Sequence, residues 1–408
     1  MSRYAGLTRE QLVTLVPELL LCGQLIDRSG MAWCISAFGR ETMLQIAIEE
    51  WAASSPIYTR RMQRTLGYEG DDVITIFKGL QLDIGAPPQF MDFRYTIHDP
   101  WHGEFHLDHC GALMDVEPMG PDYVTGMCHT IEDPTFDATA VATNPKAQVR
   151  PIHRPPRVPA DRTPHCAWTV TIDDANPDAV AIPELFVNEK SHAATIELDP
   201  IDPADEGLSA YDGPLVSDFD FAAFSHSALV RIADEVCLQM VLLDLAFVLA
   251  VEKRAASAEQ VEEIRRKQAV GFAGIAAYRL ARALELPATE EAALQLLGLH
   301  PILNPIAYTG ASMDGTRLVV RTDSPAHDDG AWVSLCGPQW PDALRAVVRV
   351  LDPHFDVAIE RVPGGWAIGV VRNAEAAKEA SEVSVAKLSS GTDFAFESRR
   401  SLPILTVG

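Results

Sequence analysis

Histidine and cysteine are concentrated in one stretch of the chain, residues 98–166. Seven of the twelve histidines and three of the seven cysteines lie there. Each of these cysteines has a histidine as its neighbour, in the pairs His109-Cys110, Cys128-His129 and His165-Cys166. Imidazole and thiolate are the ligands that zinc and other borderline-soft metals prefer. The stretch therefore predicts a metal site, with candidate ligands His106, His109, Cys110, Cys128, His153, His165 and Cys166.

Strand geometry limits which of these side chains can meet. On the strand predicted around them, His106, Asp108 and Cys110 point to one face, because side chains alternate with a period of two. Leu107 and His109 point to the other face, so His109 and Cys110 reach one site only through a bulge. Neither paired CxxC nor HExxH, the familiar zinc spacings, occurs in the chain. Thiols that only fill space, and solvated histidines, are therefore the alternative to a metal.

Nucleophilic catalysis is the other chemistry that these residue types allow. A neighbouring imidazole lowers the pKa of a thiol and so activates it. Cys110 or Cys128 could be the nucleophile, with His129 as the base and Asp133 to orient the histidine. The sequence supplies the residue types but not the distances, and inert buried thiols are again the alternative.

The elements that must position these residues are helices followed by strands. Thr8 and Gln11 have the spacing of a capping box at the start of a helix, and helical patterns continue through residues 31–51, 57–66 and 73–82. Residues 90–98 and 104–113 read as a hairpin, and residues 146–153 and 167–172 as two more strands. Adjacent acidic pairs on helices, Glu49-Glu50 and Asp234-Glu235, read as solvated faces or caps.

A weak internal repeat links the two halves of the chain. Residues 64–88 are echoed by residues 282–303, and each segment is followed by a predicted strand pair, at 90–113 and 306–320. This predicts duplication of one helical-plus-sheet unit, although chance similarity between two amphipathic helices is the alternative. The second copy has LVVRT where the first has HLDHC, so it has lost the candidate site.

Charge and hydropathy exclude several classes of partner. A net charge of −24 disfavours binding to nucleic acid or anionic lipid. The most apolar run, residues 236–251, is shorter than the roughly 20 residues that a bilayer requires, and Asp244 interrupts it. The N-terminal sequence lacks a secretory pattern, so we expect reduced thiols and a cytoplasmic location.

Several short motifs carry a family resemblance. They are FHLDHC ending at Cys110, EPMGPDYVTGMC ending at Cys128 and followed by Glu132-Asp133, VRPIHRPP, and TPHCAWTVTI with Cys166. Their order resembles the L-2-amino-thiazoline-4-carboxylic acid hydrolase family. It is also similar to the ligand-binding domains named after vinyl reductase, some of which hold zinc through cysteines. The resemblance implies an α+β domain with a small-molecule pocket and the three cysteines as its site. We expect zinc or iron as the metal if one is bound there, and no other cofactor.

These observations together predict an α+β protein. Residues 1–175 are expected to form a helical part and an antiparallel-sheet domain with the His/Cys site. Residues 176–225 are expected to be an acidic irregular connection. Residues 226–375 would then form a more helical, degenerate repeat, followed by a tail over residues 376–408. The expected function is that of a hydrolase acting on a small cyclic C–N or C–S compound. The alternatives are a zinc-containing sensor or carrier of a small molecule, and a scaffold that uses the helices of residues 226–286 as an interface. We expect a homo-oligomer with a small-molecule ligand.

Overall fold

The structure is a computed structural model that describes residues 2–88, 90–387 and 405–406 of the 408-residue chain. The predicted tail therefore lies partly outside the described residues. The helices are α1 Arg9–Gln24, α2 Ile26–Phe38, α3 Arg40–Ala52, α4 Ser55–Leu66, α5 Val73–Leu80, α6 Gly111–Val116, α7 Pro121–Thr125, α8 Glu132–Ala140, α9 Pro183–Asn188, α10 His192–Thr195, α11 His226–Glu252, α12 Ala258–Ala283, α13 Glu290–Leu299, α14 Ile306–Thr309, α15 Pro325–Asp328, α16 Asp342–Arg349 and α17 Ser381–Ala386. The strands are β1 Met91–Asp99, β2 His102–Cys110, β3 Ala147–His153, β4 Cys166–Ile172, β5 Ala311–Asp314, β6 Arg317–Arg321, β7 Phe355–Val362, β8 Gly365–Arg372 and β9 Leu405–Thr406.

The N-terminal helices begin as predicted but divide differently. The backbone amide of Gln11 donates to Thr8 Oγ1, and the backbone amide of Thr8 donates to Gln11 Oε1 at 2.9 Å, which forms the expected capping box at α1. The single helix predicted over residues 31–51 is instead the end of α2 and most of α3. The two meet at Gly39, whose φ of +82° lies in the region that glycine adopts most readily.

Two antiparallel sheets complete the α+β fold. The first has the strand order β3-β4-β2-β1, with β9 added in parallel at the edge of β1. The second has the order β5-β6-β8-β7. The inner face of the first sheet carries Phe93, Phe105 and Trp168 and packs on α5 and α8 in an apolar cluster. The other face is polar and partly exposed, as alternation along the strands requires.

The two sheets share one connectivity, which supports the predicted duplication. In each sheet, a first hairpin is followed by several short helices, the last of which is α8 or α16, and then by a second hairpin. The last strand of the second hairpin pairs with the last strand of the first hairpin. Every contact between neighbouring strands of these two four-strand sets is antiparallel. The first hairpin of one sheet follows α5, and that of the other follows α13 and α14. The second sheet has Arg317–Arg321 as β6, and this strand contains no histidine or cysteine.

A helical layer connects the two sheets. α11 is buried along most of its length and packs against α1, α3 and α4, so the apolar surface predicted as a subunit interface is used within the chain. Glu18 of α1 and Arg279 of α12 form a buried ion pair at 2.6 Å. The predicted connection is largely irregular, apart from α9, α10 and a short 3-10 turn. No helix in the described part of the chain has both the length and the apolar character that crossing a bilayer requires.

Candidate active site: a carboxyl-lined cavity beside three thiols

Three thiols meet on the inner side of the first sheet. Cys110 ends β2, Cys128 lies in a π-helical turn at Gly126–Ile131, and Cys166 begins β4. Each is at most 5% exposed, and all three belong to one apolar cluster. They lie within electrostatic range of one another and of Glu132. The folded chain therefore brings together three cysteines that are far apart in sequence.

A bulge at the end of β2 decides which residues accompany these thiols. Met91 pairs with Cys110 but Phe93 pairs with Leu107, so β2 contains one extra residue between these pairs. The extra residue shifts Cys110 to the inner face, which it shares with Leu107. The expectation that His106, Asp108 and Cys110 share a face is therefore wrong, because the alternation breaks at the bulge.

The predicted histidine ligands lie on the other side of the sheet or at its edge. His106 is partly exposed on the outer face beside Asp108, and His153 pairs with Ala167 on that face. The rings of His109 and His165 lie 6.0 Å apart, and burial lowers the pKa of both imidazoles. His106 and His153 thus lie across the sheet from the three thiols.

The predicted catalytic residues beside Cys128 have other partners. Nε2 of His129 donates to the carbonyl oxygen of Pro155 at 2.7 Å, and Asp133 forms an ion pair with Arg154. Burial raises the pKa of the Cys128 thiol far above its ordinary value, and the neighbouring Glu132 raises it further. The expected arrangement of thiol, His129 and orienting Asp133 is therefore not formed.

The other two thiols are also held in the protonated form. Burial raises the pKa of Cys110 to about 12, and burial also raises the pKa of Cys166 well above its ordinary value. Sγ of Cys110 accepts a hydrogen bond from the amide of Leu113 at 3.4 Å and so caps α6. Burial therefore favours the neutral form of these thiols, whereas nucleophilic attack needs the thiolate.

The side chains predicted as metal ligands are not close enough together to share one ion in this arrangement. In the described ranges, no three of the predicted ligands bring their ligand atoms within 4.8 Å of one another. A tetrahedral zinc ion with bonds of about 2.0 to 2.3 Å needs its ligand atoms closer than this. The thiol cluster does not fit a metal ion in this arrangement.

A cavity adjoins the thiols at the seam between the first sheet and the N-terminal helices. Its volume is about 90 Å³. The polar side chains in its wall are Gln24, Asp27, Tyr58, Asp83, Glu132, Thr135, Thr139 and Cys166, and aromatic residues such as Trp51 and Phe93 supply much of the rest. Its described lining contains three carboxyl groups but no lysine, arginine or histidine.

Asp83 is fixed by two hydrogen bonds. The Tyr58 hydroxyl donates to Asp83 Oδ1 at 2.9 Å, and the amide of Gly85 donates to the same oxygen at 2.7 Å. Burial raises the pKa of Asp83 to about 6, although both hydrogen bonds act in the opposite direction. Asp83 therefore orients the Tyr58 phenol at the cavity wall.

Asp27 has a second carboxyl group behind it. Nε1 of Trp51 donates to Asp27 Oδ2 at 3.1 Å. Burial raises the pKa of Asp27 to about 6. Glu50 is completely buried, and burial together with Asp27 raises its pKa well above the ordinary value. Because two like charges in one site cannot both ionise easily, Glu50 remains protonated while Asp27 titrates near neutral pH.

Glu132 is the third carboxyl group and lies next to the thiols. Its Oε2 atom is buried without a hydrogen-bond partner among the described residues, although the residue as a whole keeps some exposed surface. Burial raises its pKa to about 8, and the Arg154 guanidinium acts in the opposite direction. The pKa of Glu132 thus lies above that of Asp27 in the same cavity, so Glu132 holds its proton more readily than Asp27 does.

The sequence did not identify most of this cavity. Asp27 and Asp83 are single acidic residues in apolar surroundings within the helical part, and that isolation was the available signal. In the sequence, Glu132 is recognisable only as an acidic residue shortly after Cys128. The prediction that Glu49-Glu50 and Asp234-Glu235 are solvated is wrong for three of the four residues, since Glu50, Asp234 and Glu235 are buried.

No protein-family model, curated protein or solved structure matches the chain.

Proposed function

We propose that the protein is a hydrolase that cleaves a C–N or C–S bond of a small, nitrogen-rich compound by general acid–base catalysis. One observation carries the proposal: Asp27 and Glu132 line one cavity and have pKa values of about 6 and about 8. A pair of groups whose environments separate their pKa values on either side of neutrality can supply a base and an acid at the same pH. Asp27 is the base and Glu132 is the acid.

The cavity wall supports a substrate that is cationic or rich in hydrogen-bond donors. Three carboxyl groups face the cavity, and none of its described lining residues is basic. An amidine or a small amine can donate to such groups. A free substrate carboxylate would be repelled, so the carboxylated substrate implied by the family resemblance fits this cavity poorly.

The size of the cavity limits the part of the substrate that it encloses. A cavity of about 150 Å³ holds one benzene molecule, so about 90 Å³ accommodates only a few heavy atoms. The enclosed part is therefore a very small molecule or the amidine end of a larger one.

The reaction follows from the two protonation states. Asp27 removes a proton from a water molecule, whose oxygen forms a bond to the amidine-type carbon. Glu132 then gives its proton to the departing nitrogen or sulfur as the bond to carbon breaks. Transfer of the proton from Asp27 back to Glu132 through water restores both groups. The overall change is addition of one water molecule across the bond.

In this mechanism the thiols do not act as nucleophiles. Cys166 contributes to the cavity wall, while Cys110 and Cys128 lie close to Glu132. Neutral thiols lower the polarity around Glu132, because they are small and weakly polar. They therefore help to keep the Glu132 carboxyl protonated.

The test uses 2-aminothiazoline and its 4-carboxylate as probes, with release of the thiol product as the readout. We expect turnover of the first probe and little of the second. Asp27→Asn and Glu132→Gln should each lower kcat by about 100-fold or more. Asp133→Asn is the matched control, since Asp133 neighbours Glu132 but is not part of the cavity wall, and it should retain activity within a few-fold.

Two results would contradict the proposal. Full turnover by Glu132→Gln would remove the acid from the mechanism. Calorimetric binding of the probe to the wild-type protein without any turnover would instead favour the carrier or sensor function.

A further inference from the structure

A second group of chemically capable side chains lies at the far end of the β1–β2 hairpin. Nε2 of His98 is 3.2 Å from Oε1 of Glu104, and the rings of His98 and His102 lie 4.5 Å apart. One ligand atom from each of the three residues falls within 4.8 Å of the others, which no other set of three His, Cys, Asp or Glu residues achieves in the described part of the chain.

The hairpin itself creates this arrangement. Ile97 pairs with Gly103 and Asp99 pairs with His102, so His98 is an extra residue in β1 at a bulge. Its side chain therefore lies beside that of Glu104 at the polar, outer face. The sequence signal is a H-x3-H-x-E spacing across a turn that begins with Asp-Pro.

Contacts with the rest of the fold fix the turn. The amide of Trp101 donates to Asp99 Oδ1 at 2.8 Å, which closes the turn locally. The amide of Ile172 donates to the Trp101 carbonyl at 2.8 Å, and the amide of Val73 donates to the Pro100 carbonyl at 2.9 Å. The three side chains are thus presented by anchored strand ends, which suit precise ligand placement.

We infer that His98, His102 and Glu104 form a binding site for a divalent transition-metal ion of the zinc type. Two imidazole nitrogens and one carboxylate oxygen are a donor set that Zn²⁺ and Fe²⁺ accept, and three protein ligands leave a coordination position open. The side chains of His98 and Glu104 keep 27% and 39% of their surface exposed, so the site lies at the protein surface.

A simple ion pair between His98 and Glu104 explains less of the arrangement of the three side chains than a shared metal ion does. An ion pair between His98 and Glu104 leaves out His102, although the His102 ring lies only 4.5 Å from the His98 ring. The buried Nε2 atom of His98 also lacks a hydrogen bond of acceptable geometry. A metal ion between the three side chains satisfies both imidazoles as neutral ligands.

This site is separate from the cavity proposed for hydrolysis. It lies at the opposite end of β2 from Cys110 and on the opposite face of the sheet. The two proposals can therefore fail independently.

The test is titration of the metal-free, full-length protein with Zn²⁺ by calorimetry and with Co²⁺ by visible absorption. We expect one equivalent to bind, with a visible cobalt spectrum typical of nitrogen and oxygen ligands and no thiolate charge-transfer band. His98→Ala, His102→Ala and Glu104→Gln should each weaken binding by at least tenfold. His106→Ala is the matched control, because His106 lies on the same strand and face outside the cluster, and it should bind as the wild type does.

Three outcomes would overturn the inference. The first is the absence of stoichiometric binding to a folded wild-type protein. The second is wild-type affinity in the His98→Ala/His102→Ala double variant, and the third is a thiolate band in the cobalt spectrum. Either of the last two would place the ion elsewhere. Circular dichroism of each variant shows whether a lost site reflects a lost fold.

Discussion

Replacing Glu132 by glutamine should change the pH dependence of stability more than stability itself. The pKa of this carboxyl rises from an ordinary value of 4.5 to about 8 in the folded protein. The protonated form is thus favoured by folding. Its contribution to stability is fully present below the unfolded pKa and is lost as the pH rises through about 8.

The size of this effect on stability follows from the shift in the pKa of Glu132. At about 1.4 kcal/mol for each pH unit, a change from 4.5 to about 8 corresponds to roughly 5 kcal/mol. This is an upper limit, because the residue keeps some exposed surface. We expect 2 to 3 kcal/mol as an order of magnitude.

Urea unfolding at pH 5, 7 and 9 measures this effect. At pH 5 the carboxyl of the folded wild type and the glutamine amide are both neutral, and this pH is only about half a unit above the pKa of the unfolded carboxyl, so the two proteins should differ by about 1 kcal/mol or less. At pH 9 the variant should be the more stable protein, because it does not bury a charge. Asp133→Asn removes the neighbouring carboxyl, which pairs with Arg154, and should not reproduce this gain. A stability difference for Glu132→Gln that is the same at all three pH values would refute the reasoning.

Three further predictions concern catalysis, the thiols and the helical layer. In the proposed hydrolase, kcat/KM for 2-aminothiazoline should rise through about pH 6 and fall through about pH 8. Asp27→Asn should abolish the rise near pH 6, and a wild-type profile that does not change with pH would contradict the roles of Asp27 as base and Glu132 as acid. All seven thiols are buried, so a disulfide reagent at pH 7 should label the native protein at least about 100-fold more slowly than the urea-unfolded protein. Rapid labelling of Cys110, Cys128 or Cys166 in the native protein would contradict their burial. Arg279→Met leaves the buried Glu18 unpaired and should cost about 3 kcal/mol in denaturant unfolding, whereas the Glu18→Leu/Arg279→Met double variant should regain most of it.

The sequence predicted the fold class and the positions of the first four strands because these depend on local periodicity. The strand predicted over residues 104–113, for example, corresponds to β2 with its last three positions folded into α6. Charge and hydropathy patterns could not show burial that depends on distant partners. Glu50 resembled a solvated helix residue, yet α2 and α11 cover it, and Glu235 is buried against Arg61 at 2.9 Å.

The site was harder to predict because one residue can reverse the faces of a strand. The extra residue at the end of β2 brought Cys110 inward and left His106 outside, and no local signal indicates such a bulge. The grouping of three cysteines was expected from the residue types, but their protonation state was not. It depends on burial and on Glu132, which come from the packing of several elements together.

The location of the cavity has a practical consequence. One wall belongs to the helical layer and the other to the first sheet, so a molecule that fills it holds the two layers together. A ligand that binds only the folded state adds about 2.7 kcal/mol of stability at one hundred times its dissociation constant. Melting curves recorded across a collection of small amines and amidines would therefore reveal the natural occupant even before any reaction is known.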